Sequence, residues 1–151
     1  MIAKDIMTTN VVSVRVDTPV VDVARLMATH NVSGVPVVDA GSRVVGVVSE
    51  NDLLLKHDKA KSPHRLALFG FWVVPEESLV EAYEDARGGT VAADVMTKKA
   101  VTFEEDADIT QIAETMVKKN INRVPIVRDG KLVGIVSRAD IVKSIAGIDE
   151  D

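Results

Sequence analysis

Two serine–aspartate pairs with the same spacing are the residues of this chain best suited to chemistry. Ser49 precedes Asp52 and Ser137 precedes Asp140, each pair between a run of β-branched residues and a helical run. Backbone N–H groups are free at a helix N-terminus, and the helix dipole favours anions there. A carboxylate in this position is a charged acceptor, and charge-assisted hydrogen bonds are the stronger kind.

The same spacing also has a structural interpretation. A serine at the N-cap and an acid three residues later form a capping box, in which each side chain bonds the other's backbone N–H. Loss of such a cap costs about 1 kcal/mol without touching ligand affinity. The two roles are compatible, so both interpretations stay open.

The pairs belong to an internal repeat. The segment Val35–Leu53 matches Val124–Ile141 with one extra residue in the turn, and Met7-Thr8 recurs as Met96-Thr97 at an offset of 89 residues. The periodicity predicts strand–helix–strand–strand–helix in each copy, with a hairpin between the two later strands. Neither copy can bury its apolar face alone, so we expect the copies to pack together.

The repeat divides the chain. Residues 1–56 form the first repeat, 57–92 an insert, 93–148 the second repeat and 149–151 an acidic tail. The insert holds an aromatic segment, 66–74, and a predicted amphipathic helix, 76–86. The aromatic segment is interpreted as a lid over the core, or as a dimer surface or ligand cover. Pro36 and Pro125 lie inside predicted strands and suggest edge positions.

Composition excludes several functions. The chain of 151 residues has a net charge of −5, which argues against a nucleic-acid partner, and no cysteine, which removes thiolate nucleophiles and disulfides. It shows no metal-ligand spacing, no readable serine–histidine pair and no phosphate-binding Gly-Lys-Ser/Thr loop. We expect a protein that is not an enzyme and needs no metal or cofactor. Without a secretory segment or a membrane-length apolar run, a cytoplasmic location is expected.

The duplicated motifs carry a family resemblance. Met-Thr, then Val-Pro-(Ile/Val)-Val, then Gly-(Ile/Val)-Val-Ser-x-x-Asp occur twice in register. This pattern resembles a tandem pair of cystathionine β-synthase-type (CBS) domains of the stand-alone bacterial and archaeal type. The resemblance implies an α+β fold in which two β-α-β-β-α repeats pack as a pseudo-two-fold pair, with a homodimer as the assembly.

The resemblance also implies a function. Such a protein would sense adenine nucleotides (AMP, ADP or ATP) in clefts between the repeats and regulate an unknown protein in trans. S-adenosylmethionine is the alternative ligand. A ligand-independent scaffold for dimerisation or docking is the alternative function.

Site residues follow by matching motifs. Asp52 and Asp140 would bind ribose. The polar residues expected around ribose and phosphate are Ser49, Ser137, Thr8, Thr97, Ser33, Asn122, Arg123 and Arg138. The base would meet the backbone near Ser13 and Thr102 between walls formed by Val35 and Val124.

The repeats differ at one site position. The Asp52 cleft would use Thr97, Asn122 and Arg123, whereas the Asp140 cleft would use Thr8 and Ser33, with Gly34 in place of an arginine. Arginine binds phosphate in a bidentate fashion. The sequence therefore predicts that the Asp52 cleft tolerates more phosphate charge.

Overall fold

The helices and strands repeat in the same order along the two copies, apart from one additional two-residue strand in the second copy. The computed structural model describes residues 1–54 and 90–148. The first repeat contains α1 (Ala3–Ile6), β1 (Val14–Arg15), α2 (Val20–His30), β2 (Gly34–Val38), β3 (Val44–Ser49) and α3 (Glu50–Leu54). The later part contains α4 (Ala92–Val95), β4 (Thr97–Lys98), β5 (Phe103–Glu104), α5 (Ile109–Lys119), β6 (Arg123–Arg128), β7 (Lys131–Ser137) and α6 (Arg138–Ile145). This mixture of sheets and helices confirms the predicted α+β class. The predictions for 66–74, 76–86 and 149–151 lie outside the described residues.

Helix α2 forms where the apolar stripe predicts it. Val20, Val23 and Met27 lie on its buried face, at the three- and four-residue intervals that put side chains on one side of a helix. Asn31 ends the helix in the left-handed conformation, with φ 52° and ψ 47°. In the second repeat Asn120 ends α5 in the same way, with φ 53° and ψ 51°.

The strands form two sheets, in the orders β1-β2-β3-β4 and β5-β6-β7. Strands β2 and β6 are internal, so the prediction of edge positions for Pro36 and Pro125 is wrong. The parallel ladder between β1 and β2 covers only Val37 and Val38, so Pro36 lies just outside it. Proline has no backbone N–H, but at this position no hydrogen bond to β1 is lost.

The first residues of each repeat pack against the other repeat. Helix α1 lies on the second repeat, where Ala3 N donates to Ala107 O at 2.8 Å and Ala3 is fully buried in the second core cluster. Helix α4 lies on the first repeat, where Ala92 N donates to Thr18 O at 2.8 Å. The lead-in segments, residues 1–8 and 90–98, are therefore exchanged, and the packed units differ from the sequence repeats.

The exchanged segments also form backbone hydrogen bonds with the sheets of the opposite repeats. Strand β4 pairs antiparallel with β3, with Thr97 opposite Val47. At the equivalent place Thr8 bridges Ile135, through Thr8 N to Ile135 O at 2.9 Å and Ile135 N to Thr8 O at 3.0 Å. Each sheet thus receives its last backbone hydrogen bonds from the other repeat's lead-in segment.

A methionine covers a glycine at both junctions. A Cβ at Gly46 would lie 2.6 Å from Met96 Sδ and 2.9 Å from Thr97 O. A Cβ at Gly134 would lie 2.9 Å from Met7 Cγ, again too close for a real contact. At Gly46 an added Cβ would meet backbone as well as Met96, whereas at Gly134 it would meet only the side chain of Met7.

The hairpin turns of the two repeats also bond each other. Val44 N donates to Gly130 O at 3.2 Å, and Leu132 N donates to Ser42 O at 3.0 Å. Gly130 has φ +82°, a conformation that suits glycine. No helix in the two described ranges is long and apolar enough to cross a membrane.

The methionine–glycine junctions predict a graded effect of added methyl groups. Gly46→Ala should lower the free energy of unfolding by about 1–3 kcal/mol, because the new Cβ meets backbone as well as Met96. Gly134→Ala should cost less, since the flexible Met7 side chain can move. Urea denaturation measures both.

Gly41→Ala is the matched control, because its Cβ would make an ordinary 3.5 Å contact with Asp39 Oδ1. We expect its effect to stay within about 0.5 kcal/mol. Equal stability of Gly46→Ala and Gly41→Ala would contradict the tight junction.

Candidate functional site

A hollow of about 270 Å³ lies between the repeats. We call it the Asp140 hollow. Its lining residues are Thr8, Asn10, Val11, Val12, Val32, Gly34, Arg123, Ile135, Ser137 and Asp140. Because both repeats contribute to it, the site exists only when they are packed together. Small-molecule pockets typically start at about 300 Å³, so this hollow suits a compact ligand.

The lining of the hollow has both apolar and polar side chains. Its apolar members are Val11, Val12, Val32 and Ile135. Its hydroxyl and charged members are Thr8, Ser137, Asp140 and Arg123. A ligand with one flat apolar part and one polyhydroxyl or anionic part would match both groups.

Asp140 has one oxygen occupied and one available. At the start of α6, Ser137 N donates to Asp140 Oδ2 at 2.8 Å, and Asp140 N donates to Ser137 Oγ at 3.2 Å. These two bonds form the capping box that the spacing predicts. No described residue donates to Asp140 Oδ1, and the half-buried side chain lines the hollow. Capping and a carboxylate facing a hollow therefore occur together here.

Asp52 is placed differently, although it occupies the equivalent position. Its Oδ2 accepts from Ser49 N at 2.8 Å and from Ser49 Oγ at 3.1 Å, and its Oδ1 accepts from Thr97 Oγ1 at 3.4 Å. The residue is only 6% exposed. Both carboxylate oxygens of Asp52 are thus engaged by protein donors, one of them from the exchanged segment.

Arg123 reaches across from β6 to the first repeat. One guanidinium nitrogen donates to Ser33 Oγ at 2.7 Å and the other to Gly34 O at 3.3 Å. A Cβ at Gly34 would lie 3.6 Å from Arg123 Cδ, an ordinary contact, and 3.2 Å from Val48 O, which is tighter. Arg123 lines the Asp140 hollow, whereas the sequence assigned it to the Asp52 cleft.

Burial sets the electrostatics of this cation. Desolvation lowers the pKa of Arg123 from its ordinary value, while the charges of Glu50 and Asp140 act in the opposite direction. An arginine pKa starts so high that the group stays charged at neutral pH. The hollow therefore has a half-buried cation on one wall and a carboxylate on another.

Two predicted walls are corrected by the structure. Val35 and Val124 are fully buried in the two cores and are not available to a ligand. Val32, two residues before the start of the buried run of β2, and Ile135 of β7 line the hollow instead. The sequence placed the apolar runs correctly but did not show which members face the other repeat.

The predicted base contacts are also displaced. Val11 and Val12 line the hollow, directly before the predicted Ser13. Thr102 lies in a separate shallow groove on the second repeat, beside Asp106 and Glu114. In the first repeat the lining residues therefore lie one or two positions before Ser13, and the base contact itself stays a prediction.

Arg138 and Asn122 have other contacts than those predicted. Arg138 Nε donates to Ile121 O at 2.9 Å and its guanidinium to Met116 O at 3.0 Å, so the side chain caps the end of α5 outside the hollow. Asn122 is exposed, and its carbonyl accepts from Arg138 N at 2.9 Å.

Comparison with known proteins supports the same fold. A sequence model of the CBS domain matches residues 3–57 and 91–147. The uncharacterised protein MJ1426 of Methanocaldococcus jannaschii is 34% identical over 96% of this chain and 91% of its own length. The chain belongs to the CBS domain family.

Solved structures agree with this assignment. CBSX2 from Arabidopsis thaliana superimposes with a TM-score of 0.76 at 28% identity, covering 97% of this chain and 95% of CBSX2. A structure of CBSX2 in complex with AMP gives a TM-score of 0.71 at 27% identity, covering 99% of this chain and 98% of that one. The predicted pair of CBS repeats is thereby confirmed.

The two capping boxes predict unequal effects of removing the serine hydroxyl. Ser137→Ala should reduce the free energy of unfolding by about 1 kcal/mol, the usual cost of a lost N-cap. Ser49→Ala should cost more, about 1–3 kcal/mol, because it also removes a donor from the buried Asp52 carboxylate. Chemical denaturation of both variants measures the difference. A smaller loss for Ser49→Ala than for Ser137→Ala would contradict the assigned contacts.

Proposed function

We propose that the protein is a regulatory module that binds an adenosine ligand, with AMP as the first candidate, in the Asp140 hollow. The observation that carries the proposal is Asp140 itself. Its capping role uses Oδ2, no described residue donates to its Oδ1, and the residue lines a hollow to which both repeats contribute. A carboxylate oxygen so placed can accept hydrogen bonds from the two adjacent hydroxyls of a ribose.

The rest of the lining fits the rest of the ligand. An adenine ring would lie among Val11, Val12 and Val32, where its flat faces replace water against apolar side chains. A phosphate near Arg123 would form charge-assisted hydrogen bonds with the guanidinium. The volume of about 270 Å³ favours a monophosphate over a di- or triphosphate.

The complex of CBSX2 with AMP supports this ligand class, since that protein is 27% identical and shares the fold over nearly its whole length. S-adenosylmethionine remains the alternative, because its carboxylate could replace the phosphate at Arg123. The same lining would receive the adenosyl group of either ligand.

Regulation would follow from the position of the hollow. A ligand that touches both repeats binds most tightly to one arrangement of them, and it shifts the equilibrium by its difference in affinity between arrangements. We propose that the protein works as a homodimer and passes this change to a partner protein in trans. A scaffold without ligand is the competing function.

Ligand titration tests the site. AMP at 100 times its dissociation constant should raise the free energy of unfolding by about 2.7 kcal/mol. Asp140→Asn should weaken AMP binding by about tenfold or more, since it removes a charged acceptor. Its unliganded stability should change little, because the amide oxygen can still accept from Ser137 N. Thermal shift and calorimetric titration give the two quantities.

Asp106→Asn is the matched control, because Asp106 is exposed in the separate groove and carries the same charge. It should leave AMP affinity unchanged. No response to AMP, ADP, ATP or S-adenosylmethionine would favour the scaffold instead.

A further inference from the structure

We propose that Met7 is a modification site, at which a peroxide oxidises the thioether to a sulfoxide and thereby loosens the exchanged segment 1–8 from the second repeat. A ligand in the Asp140 hollow is not required for this reaction. The positions of the methionine side chains and the backbone contacts beside the two exchanged methionines support the assignment.

Thioethers are the only sulfur groups of this chain, which has five methionines and no cysteine. Thiolates, the usual first targets of peroxide, are therefore absent. Two methionines are buried in the cores, Met27 at 4% exposed and Met116 at 1%, whereas Met1 is 64% exposed. The remaining two, Met7 and Met96, are half-buried and lie across the glycines at the junctions between the repeats.

Met7 can be reached from a hollow of about 500 Å³ between α1 and α6. Met7 and Ile6 line this hollow on one side, and Lys143 and Ser144 line it on the other. A peroxide is small enough to enter such a space, and the half-buried side chain leaves part of Met7 accessible. A methionine in this position can be oxidised in the folded protein, whereas one inside a core requires unfolding first.

The added oxygen has no room on the strand side of Met7. The three heavy atoms nearest to a Cβ at Gly134 all belong to the Met7 side chain, which therefore lies against the glycine. Gly134 is itself buried in the middle of β7. A sulfoxide oxygen must point into the hollow or lift the side chain off the strand. Its polarity also weakens the packing of Met7 against the second core cluster.

The oxidation is a two-electron reaction that needs only the peroxide. The sulfur lone pair attacks one peroxide oxygen, and the S–O bond forms as the O–O bond breaks. The other oxygen takes up the proton of the transferred oxygen and leaves as water. The sulfur is thus oxidised by two electrons and the peroxide is reduced by two. Return to the thioether requires an external reductant, because the chain has no cysteine of its own.

The segment that carries Met7 is held by fewer sheet contacts than the equivalent segment of the other repeat. After Met7, the bridge to β7 is formed by Thr8 alone. After Met96, strand β4 forms a two-residue ladder with β3. Helix α1 has four residues, too few to persist without tertiary contacts. Oxidation of Met7 should therefore free residues 1–8 locally, whereas oxidation of Met96 should have a smaller effect.

Peptide mapping by mass spectrometry, after the folded chain is treated with dilute hydrogen peroxide, tests the site. Met7 should gain one oxygen at least about tenfold faster than Met27 and Met116, because those two react only after the core opens. Met7 should also react faster than Met96. A Met1→Leu background removes the exposed competitor. Equal rates for Met7 and Met116 would show that oxidation follows global unfolding, and would overturn the proposal.

Hydrogen exchange measures the structural consequence. Oxidation should speed amide exchange in residues 1–8 by about fivefold or more, because Ala3 N and Thr8 N would leave their acceptors in the second repeat more often. Helix α2 packs in the first core and should keep its exchange rate. Met7→Leu should abolish the response to peroxide, since leucine has a similar volume and no sulfur. Met96→Leu, the matched control, should retain the response.

Met7→Gln provides a second test that needs no peroxide. Its polar side chain of similar length should reproduce the faster exchange of residues 1–8, and it keeps the test decisive if Met7→Leu alters the fold. Unchanged exchange in the oxidised wild type would overturn the proposal. A full response to peroxide in Met7→Leu, or loss of the response in Met96→Leu, would do the same.

Discussion

The contact on which the rest of the structure depends is a methionine lying across a glycine, once at each junction between the repeats. Met96 covers Gly46 and Met7 covers Gly134, and each methionine comes from the lead-in segment of the opposite repeat. The helices next to them bury Ala3 in one core and Ala92 in the other. Neither core is complete without the other repeat, which explains why the chain forms a pair and where the hollow between the repeats comes from.

The two repeats have similar backbones but different polar contacts at equivalent positions. Backbone and cap geometry agree between the repeats, down to the serine that caps the helix before each aspartate. The polar contacts do not agree: Thr97 bonds Asp52, whereas Thr8 lines an open wall near Asp140. A duplicated fold therefore holds one carboxylate inside the protein and leaves the other facing space. Two sites that look alike in sequence need not be equally available to a ligand.

The sequence predicted the repeated elements well, because stripes such as Val20, Val23 and Met27 and turns such as Asp129-Gly130 are local signals. It also predicted the capping boxes. It could not predict the exchange, since α1 and α4 have four residues each and show no periodic pattern. The strand pattern identified Val35 and Val124 as apolar, but a local pattern does not show which face of a strand packs against a core. The direction of Arg123 is set by its hydrogen bonds to Ser33 and the Gly34 carbonyl, about 90 residues away in sequence, which no local pattern contains.

The central claim is that the Asp140 carboxylate both caps its helix and receives a ribose between the repeats. A crystal structure of the chain grown with AMP tests it most directly. The account predicts nucleotide density in the hollow, with the ribose hydroxyls within hydrogen-bond distance of Asp140 Oδ1 and the phosphate beside Arg123. A nucleotide bound with its ribose at Asp52, or outside the space between the repeats, would contradict it.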